Sequence, residues 1–245
     1  MKYMNSLILS ALLAASLPAA AVEWNAPQEP FVVFGDTYYV GTRGLSAVLI
    51  TSPAGHILLD GGSAESAQPI ARHIRQLGFR LEDVKYILSS HEHHDHAGGI
   101  AQLQRLSGAV VLSSEKGEQV LRTGVRSKGD PQYGLGSEPM APIANTGVVR
   151  DGEVVKLGSL AVTAHYTPGH TQGGMSWTWR STESGKTAAM VYADSLNAYT
   201  DGKFRYSGDR AYPTARADLE QSIATVAGFD CDILISVNTP NSSWR

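Results

Sequence analysis

Apolar residues come along this chain in short runs punctuated by Gly and Pro. Phe31-Val32-Val33-Phe34, Leu45 to Thr51 and His56 to Asp60 read as strands. Ala67, Ile70, Ala71, Ile74 and Leu77 fall at helical spacing and Gly78 stops that helix. Val84 to Ser89 reads as a buried strand, followed by a polar, histidine-dense stretch and a second helix carrying Ile100, Leu103 and Leu106. Ala109 to Leu112 is the next strand. Residues 124–147 are rich in Gly, Pro and Ser with weak periodicity and read as a long loop, a length usually kept for function or motion. Strands then recur at Val148–Val155, Leu160–Tyr166, Met175–Trp179 and Ala188–Ala193. A helix with Leu219, Ile223 and Val226 and a last strand, Ile233 to Val237, follow. This order fits two mixed sheets with helices outside better than a doubly wound parallel sheet.

The first 21 residues break the pattern. Lys2, the apolar run Leu7 to Leu17 and the small residues Ala19-Ala20-Ala21 make a secretory signal peptide, so the mature chain is expected to start near Val22 as a single domain over 22–245. The apolar run is too short for a permanent membrane span. Export places the protein in the periplasm with no membrane anchor. The net charge of −3 shows no basic patch, which argues against a nucleic-acid partner. The lone cysteine, Cys231, excludes an internal disulfide and a Cys-rich zinc site.

Four of the eight histidines lie in His91-Glu92-His93-His94-Asp95-His96. The stretch follows a buried strand and precedes Ala97-Gly98-Gly99. In extended backbone, residues two apart point the same way, so His91 and His93 can converge on one cation. Asp95 and His96 sit where the chain turns into the next helix and can face a neighbouring cation. Imidazoles with a carboxylate suit Zn²⁺ or Fe²⁺. Glu92 and His94 alternate to the other side. The plain alternative is a solvated histidine-rich turn. The motif HExxH is not met, because its second histidine is replaced by Asp95 and a Gly-bounded loop is the wrong backbone for it.

A tetrahedral site needs another ligand. His170, in Thr167-Pro168-Gly169-His170-Thr171, projects from a tight turn after a strand and is the best candidate. His56, His73 and His165 lie inside strand or helix patterns and read as structural. Tyr192-Ala193-Asp194-Ser195 ends an apolar strand, where an acid and a hydroxyl either touch a second metal or cap a turn. Ser113-Ser114-Glu115-Lys116 contains an S-x-x-K without its companion motifs and reads as a chance match.

His-x-His-x-Asp-His after a strand, with Pro-Gly-His-Thr further on, resembles the metallo-β-lactamase superfamily. Trp24 to Phe31, Gly44 to Val48, Leu58-Leu59-Asp60-Gly61-Gly62, Pro168 to Trp179 and Tyr192 to Leu196 resemble its β-lactam-hydrolysing subclass B3. The resemblance implies an α/β fold of αββα sandwich type. It implies two Zn²⁺ sites, His91, His93 and His170 holding the first, Asp95 and His96 contributing to the second. It implies hydrolysis of a small-molecule β-lactam by a metal-bound hydroxide without a covalent enzyme intermediate. Asp95 would also orient the nucleophile, and Ser195 lies near the second-site water. Ser195 and Asn197 are candidates to bind the substrate carboxylate, and Gln132 and Tyr133 are possible substrate-facing residues. In glyoxalase- and lactonase-like relatives an Asp in the segment of Asp194 bridges the metals.

One departure stands out. The resemblance implies a histidine as the third second-site ligand where this chain has Asn238, and relatives continue into a C-terminal helix where this chain stops at Arg245. Cys231 resembles a cysteine that in many relatives pairs with one in that missing tail. An amide oxygen is a far poorer zinc ligand than imidazole, so the second metal is expected to be weak or absent. A thioester or lactone hydrolase of the same fold, and a one-zinc remnant of low activity, are the alternative readings.

Overall fold

Strand alternation is the main builder of this fold. The computed structural model describes residues 23–136 and 139–239; the expected export signal and the expected early end of the chain lie outside them. In the first half, β1 (Phe31–Phe34), β2 (Thr37–Tyr39), β3 (Val48–Ser52), β4 (Gly55–Leu59), β5 (Val84–Leu88), β6 (Val110–Ser113) and β7 (Thr146–Val148) form a seven-stranded sheet in chain order. Pairing is antiparallel from β1 to β4 and parallel from β4 to β7. In the second half, β8 (Val154–Leu157), β9 (Leu160–Tyr166), β10 (Met175–Glu183), β11 (Lys186–Ala193) and β12 (Ile233–Ser236) form a five-stranded sheet in the order β12-β11-β10-β9-β8. Only its β11–β12 pair is parallel. The helices are α1 (Ala67–Gln76), α2 (His94–Ala97), α3 (Ile100–Ser107), α4 (Glu115–Thr123) and α5 (Ala215–Ala227).

Two cores result. Alternate residues of the central strands face opposite ways. Leu49, Leu58 and Ile87 therefore pack with Ile70, Ile74, Ile100 and Leu103 of α1 and α3. Val48, Ile50, Ile57 and Leu59 turn inward to meet Val162, Trp177, Met190 and Tyr192 of the other sheet. Strands buried on both faces read as continuous apolar runs, which is why β3 and β4 stand out in the sequence. Truncating a side chain such as Leu58 to Ala costs about 2–5 kcal/mol at a site this enclosed. On the other side, α5 packs against the turn after β9, where the Ser222 hydroxyl donates to the Pro168 carbonyl at 2.6 Å. The result is the expected αββα sandwich.

The structure adds two elements and corrects one. Thr37–Tyr39 forms a strand that the sequence reading passed over, being only three residues long. Val148–Val155 is two strands in different sheets, separated by a turn at Asp151-Gly152 in which Gly152 takes φ 74°. Glu115–Thr123 is a helix. The Ser114 hydroxyl caps it by accepting from the Gly117 N–H at 3.2 Å, Val120 and Leu121 are buried, and Gly124 ends it at φ 71°. Ser114, the residue after the serine of the chance S-x-x-K match, thus serves as an N-cap.

Candidate metal centre

The strongest chemistry sits where β5 ends. His91 and His93 follow that strand, His93 in extended backbone, and the chain then coils into α2 at His94, which swings Asp95 and His96 to the same side. This turn requires glycine: a Cβ on Gly99 would lie 2.2 Å from the Gly61 carbonyl oxygen. His170 arrives from the turn after β9. Gly169 before it holds φ 134° and a Cβ there would meet Leu219 at 2.6 Å, so only glycine lets the turn lie against α5.

Ligand atoms of His91, His93 and His170 lie within 4.8 Å of one another, and so do those of His91, Asp95 and His96. In the first set each imidazole has one nitrogen held by a protein acceptor. His91 Nδ1 donates to Asp194 Oδ1 at 2.7 Å. His93 Nε2 donates to both oxygens of Asp130, at 3.1 and 3.0 Å. His170 Nδ1 donates to the Asn197 carbonyl at 3.1 Å. These bonds select the tautomer and turn the opposite nitrogens, as lone pairs, toward the common centre. His91 Nε2 is buried there with no hydrogen-bond partner. Burial, reinforced by the neighbouring histidines, pushes His91 well below the usual imidazole pKa. Burial and then His93 push His170 down to about 4. Three enclosed histidines of which at least two are held neutral, one with an orphaned nitrogen, are a donor set that fits a divalent cation and is costly without one.

The second set is less finished. His96 Nε2 lies 3.2 Å from Asp95 Oδ2, while its Nδ1 is 3.9 Å from Asp60 Oδ2 and has no hydrogen-bond partner. Burial opposes charge on both groups and their mutual attraction outweighs it. The Asp95 carboxyl is held well below the usual carboxylate range and His96 is raised above the usual imidazole value. Asn238 lies in the same cleft beside Asp95, His96 and Ser195, and its Nδ2 is buried without a partner. It is placed by the short pairing of 236–239 with 43–46: Ser46 N–H donates to the Val237 carbonyl at 3.0 Å and the Ser46 hydroxyl to the Ser236 carbonyl at 2.7 Å.

Beneath both sets lies Asp60, fully buried and in the left-handed region at φ 59°. It accepts from the Ser90 N–H at 2.7 Å, the Ser90 hydroxyl at 2.6 Å and the Tyr192 hydroxyl at 2.9 Å, so it fastens the ends of β4 and β5 to β11.

Above them opens a cleft of about 1060 Å³ with Trp24, Leu135 and Tyr199 at its rim and Gln132, Ser195 and Asn197 in its walls. Asp95, His93, His96, His170, Gln132, Ser195 and Asn197 line this cleft, with His91 buried beneath it, whereas Tyr133 lines a neighbouring cleft with Arg126 and Met140. Glu92 accepts from the Thr171 hydroxyl at 2.9 Å below the site, and His94 is exposed, so neither joins the ligand groups. Asp194 orients His91 from outside the centre. The sequence reading missed Asp130; its only signal was an acid inside Gly129-Asp130-Pro131 of a long loop.

A family model described as the metallo-beta-lactamase superfamily matches residues 40–183, from the end of β2 to the end of β10. The chain belongs to the metallo-beta-lactamase superfamily. Among solved members, it is 74% identical to MEM-A1, a subclass B3 metallo-beta-lactamase from a soil metagenome library, with a TM-score of 0.87 over 88% of this chain and 81% of that one. It is 50% identical to the metallo-beta-lactamase SMB-1, with a TM-score of 0.86 over 91% and 85% of the two chains. More distant superfamily members include a hydroxyacylglutathione hydrolase from Bradyrhizobium sp. (strain ORS 278), 27% identical over 58% of this chain. The chain spans 46% of the length of that relative. Among the described residues, no helix of this metallo-beta-lactamase fold is long and apolar enough to cross a membrane.

Proposed function

We propose that this protein is a zinc-dependent hydrolase that opens the amide bond of β-lactams. The observation that carries the reading is the buried histidine triad with its orphaned His91 Nε2, set beside Asp95 and His96 at the bottom of an open cleft. The 74% identity to a subclass B3 enzyme supports the substrate class. His91, His93 and His170 would hold the ion. Zinc bound there supplies a Lewis acid and brings the pKa of a bound water from about 16 toward roughly 7. Asp95, charged at neutral pH, accepts a hydrogen bond from the attacking water and fixes its direction. The Ser195 hydroxyl and the Asn197 side chain donate to the substrate carboxylate. Gln132, whose Nε2 lies 3.2 Å from His170 Nε2, closes the opposite wall. No covalent enzyme intermediate is needed.

One firmly held ion and a weak second site follow from Asn238, whose amide replaces the imidazole the family resemblance leads one to expect. Asp194 turns Oδ1 to His91 Nδ1, the ring nitrogen opposite the inward Nε2, a place behind the ligand rather than between two ions. The N-terminal charge, apolar run and small residues support export to the periplasm. The test is zinc content per chain and turnover of nitrocefin and a carbapenem on one purified sample, with lactone and thioester substrates alongside. Turnover of the lactams that a chelator abolishes is the expected result. Lactone or thioester turnover alone would reassign the substrate, and lactam turnover insensitive to chelation would end the zinc reading.

A further inference from the structure

Two of the three outer partners of the histidine triad belong to the segment that leaves β11: Asp194, and the carbonyl of Asn197. The third does not. Asp130 comes from the long segment between α4 and β7, and its carboxylate reaches His93 Nε2 with both oxygens, at 3.1 and 3.0 Å. It is buried and has other duties. Oδ1 accepts from the Gln132 N–H at 2.7 Å, which sets the backbone from which Gln132 enters the cleft. Oδ2 lies 3.5 Å from Arg126 Nε, and a guanidinium N–H of the same Arg126 donates to the Gln132 carbonyl at 2.7 Å. The far end of this segment is latched to the opposite rim: Gly134 N–H donates to Asp201 Oδ2 at 2.9 Å and Asp201 N–H to the Pro131 carbonyl at 3.0 Å.

We propose that Asp130 is a positioning residue through which metal uptake at His93 and the order of the rim segment 126–135 are coupled. The inference rests on the zinc reading above. A cation on His93 Nδ1 withdraws electron density from the ring and makes its Nε2–H a stronger donor, so the bond to Asp130 tightens and the segment it organises is held harder. Linkage makes the effect reciprocal: whatever loosens the segment before metal arrives weakens metal binding by the same factor. The arrangement ties the wall that meets substrate to the ligand that meets metal, so the cleft acquires its working shape as the ion is bound.

The experiment is a chelator-competition zinc titration with hydrogen exchange of residues 126–135, on the wild type, Asp130→Asn, Asp130→Glu and Asp201→Ala. In the wild type, zinc is expected to slow exchange across 126–135. Asp130→Asn should weaken zinc about 10- to 100-fold and abolish that protection, with Asp130→Glu recovering part of both. Asp201→Ala touches no ligand and removes only the distant latch, yet it should weaken zinc by about 2- to 10-fold. A merely local contact at His93 would leave that variant unchanged. Cobalt(II) substitution adds a spectroscopic check: Asp130→Asn should shift the ligand-field bands as His93 reorients. The proposal is overturned if zinc leaves exchange of 126–135 unaltered in the wild type, if Asp130→Asn folds and binds zinc like the wild type, or if Asp201→Ala does. A wild type that binds no zinc overturns the metal reading itself, a result distinct from the other three.

Discussion

The two ligand sets share His91, yet they differ in how completely the chain supports them. In the first, every imidazole is held from behind by Asp194, Asp130 or the Asn197 carbonyl, and the inward nitrogens converge. In the second, His96 leans on Asp95, its other nitrogen has no hydrogen-bond partner, and the amide of Asn238 idles nearby. The lesson is that supplying donors is only part of a metal site. Orientation from behind, and proton-free ligands, decide which set closes around an ion first.

That contrast can be broken most severely at the shared ligand. His91→Ala should remove zinc and lower lactam turnover on the order of 1000-fold or more, read by elemental analysis and steady-state rates on one sample. Retained turnover would mean that the triad is not the working centre. Completing the weaker set is the next largest change. Asn238→His should raise zinc content from near one per chain toward two and increase lactam turnover by about 10-fold; an unchanged stoichiometry would show that the imidazole alone is not what the site lacks.

Acid should separate the sets without mutation. The His170 pKa is pushed down to about 4 and His91 is lowered well below its usual value, so protons compete weakly for these ligands above pH 5. His96 is raised, so it keeps its proton to higher pH and must lose it before it can ligate. Stoichiometry of Asn238→His measured at pH 7.5 and 5.5 should fall first by the second ion. Loss of the first ion before the second would reverse the ranking. The smallest expected effect is at the wall: Gln132→Ala should raise KM for lactams by roughly fivefold with kcat little changed, the worth of about one hydrogen bond.

The convergence of His91, His93 and His170 and the sandwich were legible in the sequence because both rest on local patterns. A buried strand followed by alternating histidines has few ways to point them, and β3 and β4 are marked by near-continuous apolar runs. What escaped depends on long-range closure. Asp130 approaches His93 across 37 positions of sequence, from a segment without periodicity, so no local signal marked its role. The helix Glu115–Thr123 is marked in the chain by the Ser114 cap and terminal Gly124, but it is short and carries few apolar residues, so periodicity alone gave it little signal. Tyr133 and Gln132 are neighbours that face different clefts, a divergence set by the tight turn at Tyr133–Leu135 rather than by residue type.

Asp60 has one more implication. A single carboxylate, bent into an unfavourable backbone shape and gripped by Ser90 and Tyr192, clamps three chain segments under the cleft. Above that floor the side chains of Trp24, Leu135 and Tyr199 stand exposed at the rim. Substitutions of those outward side chains should be borne far better than any at Asp60, whose loss would unfasten three chain segments at once.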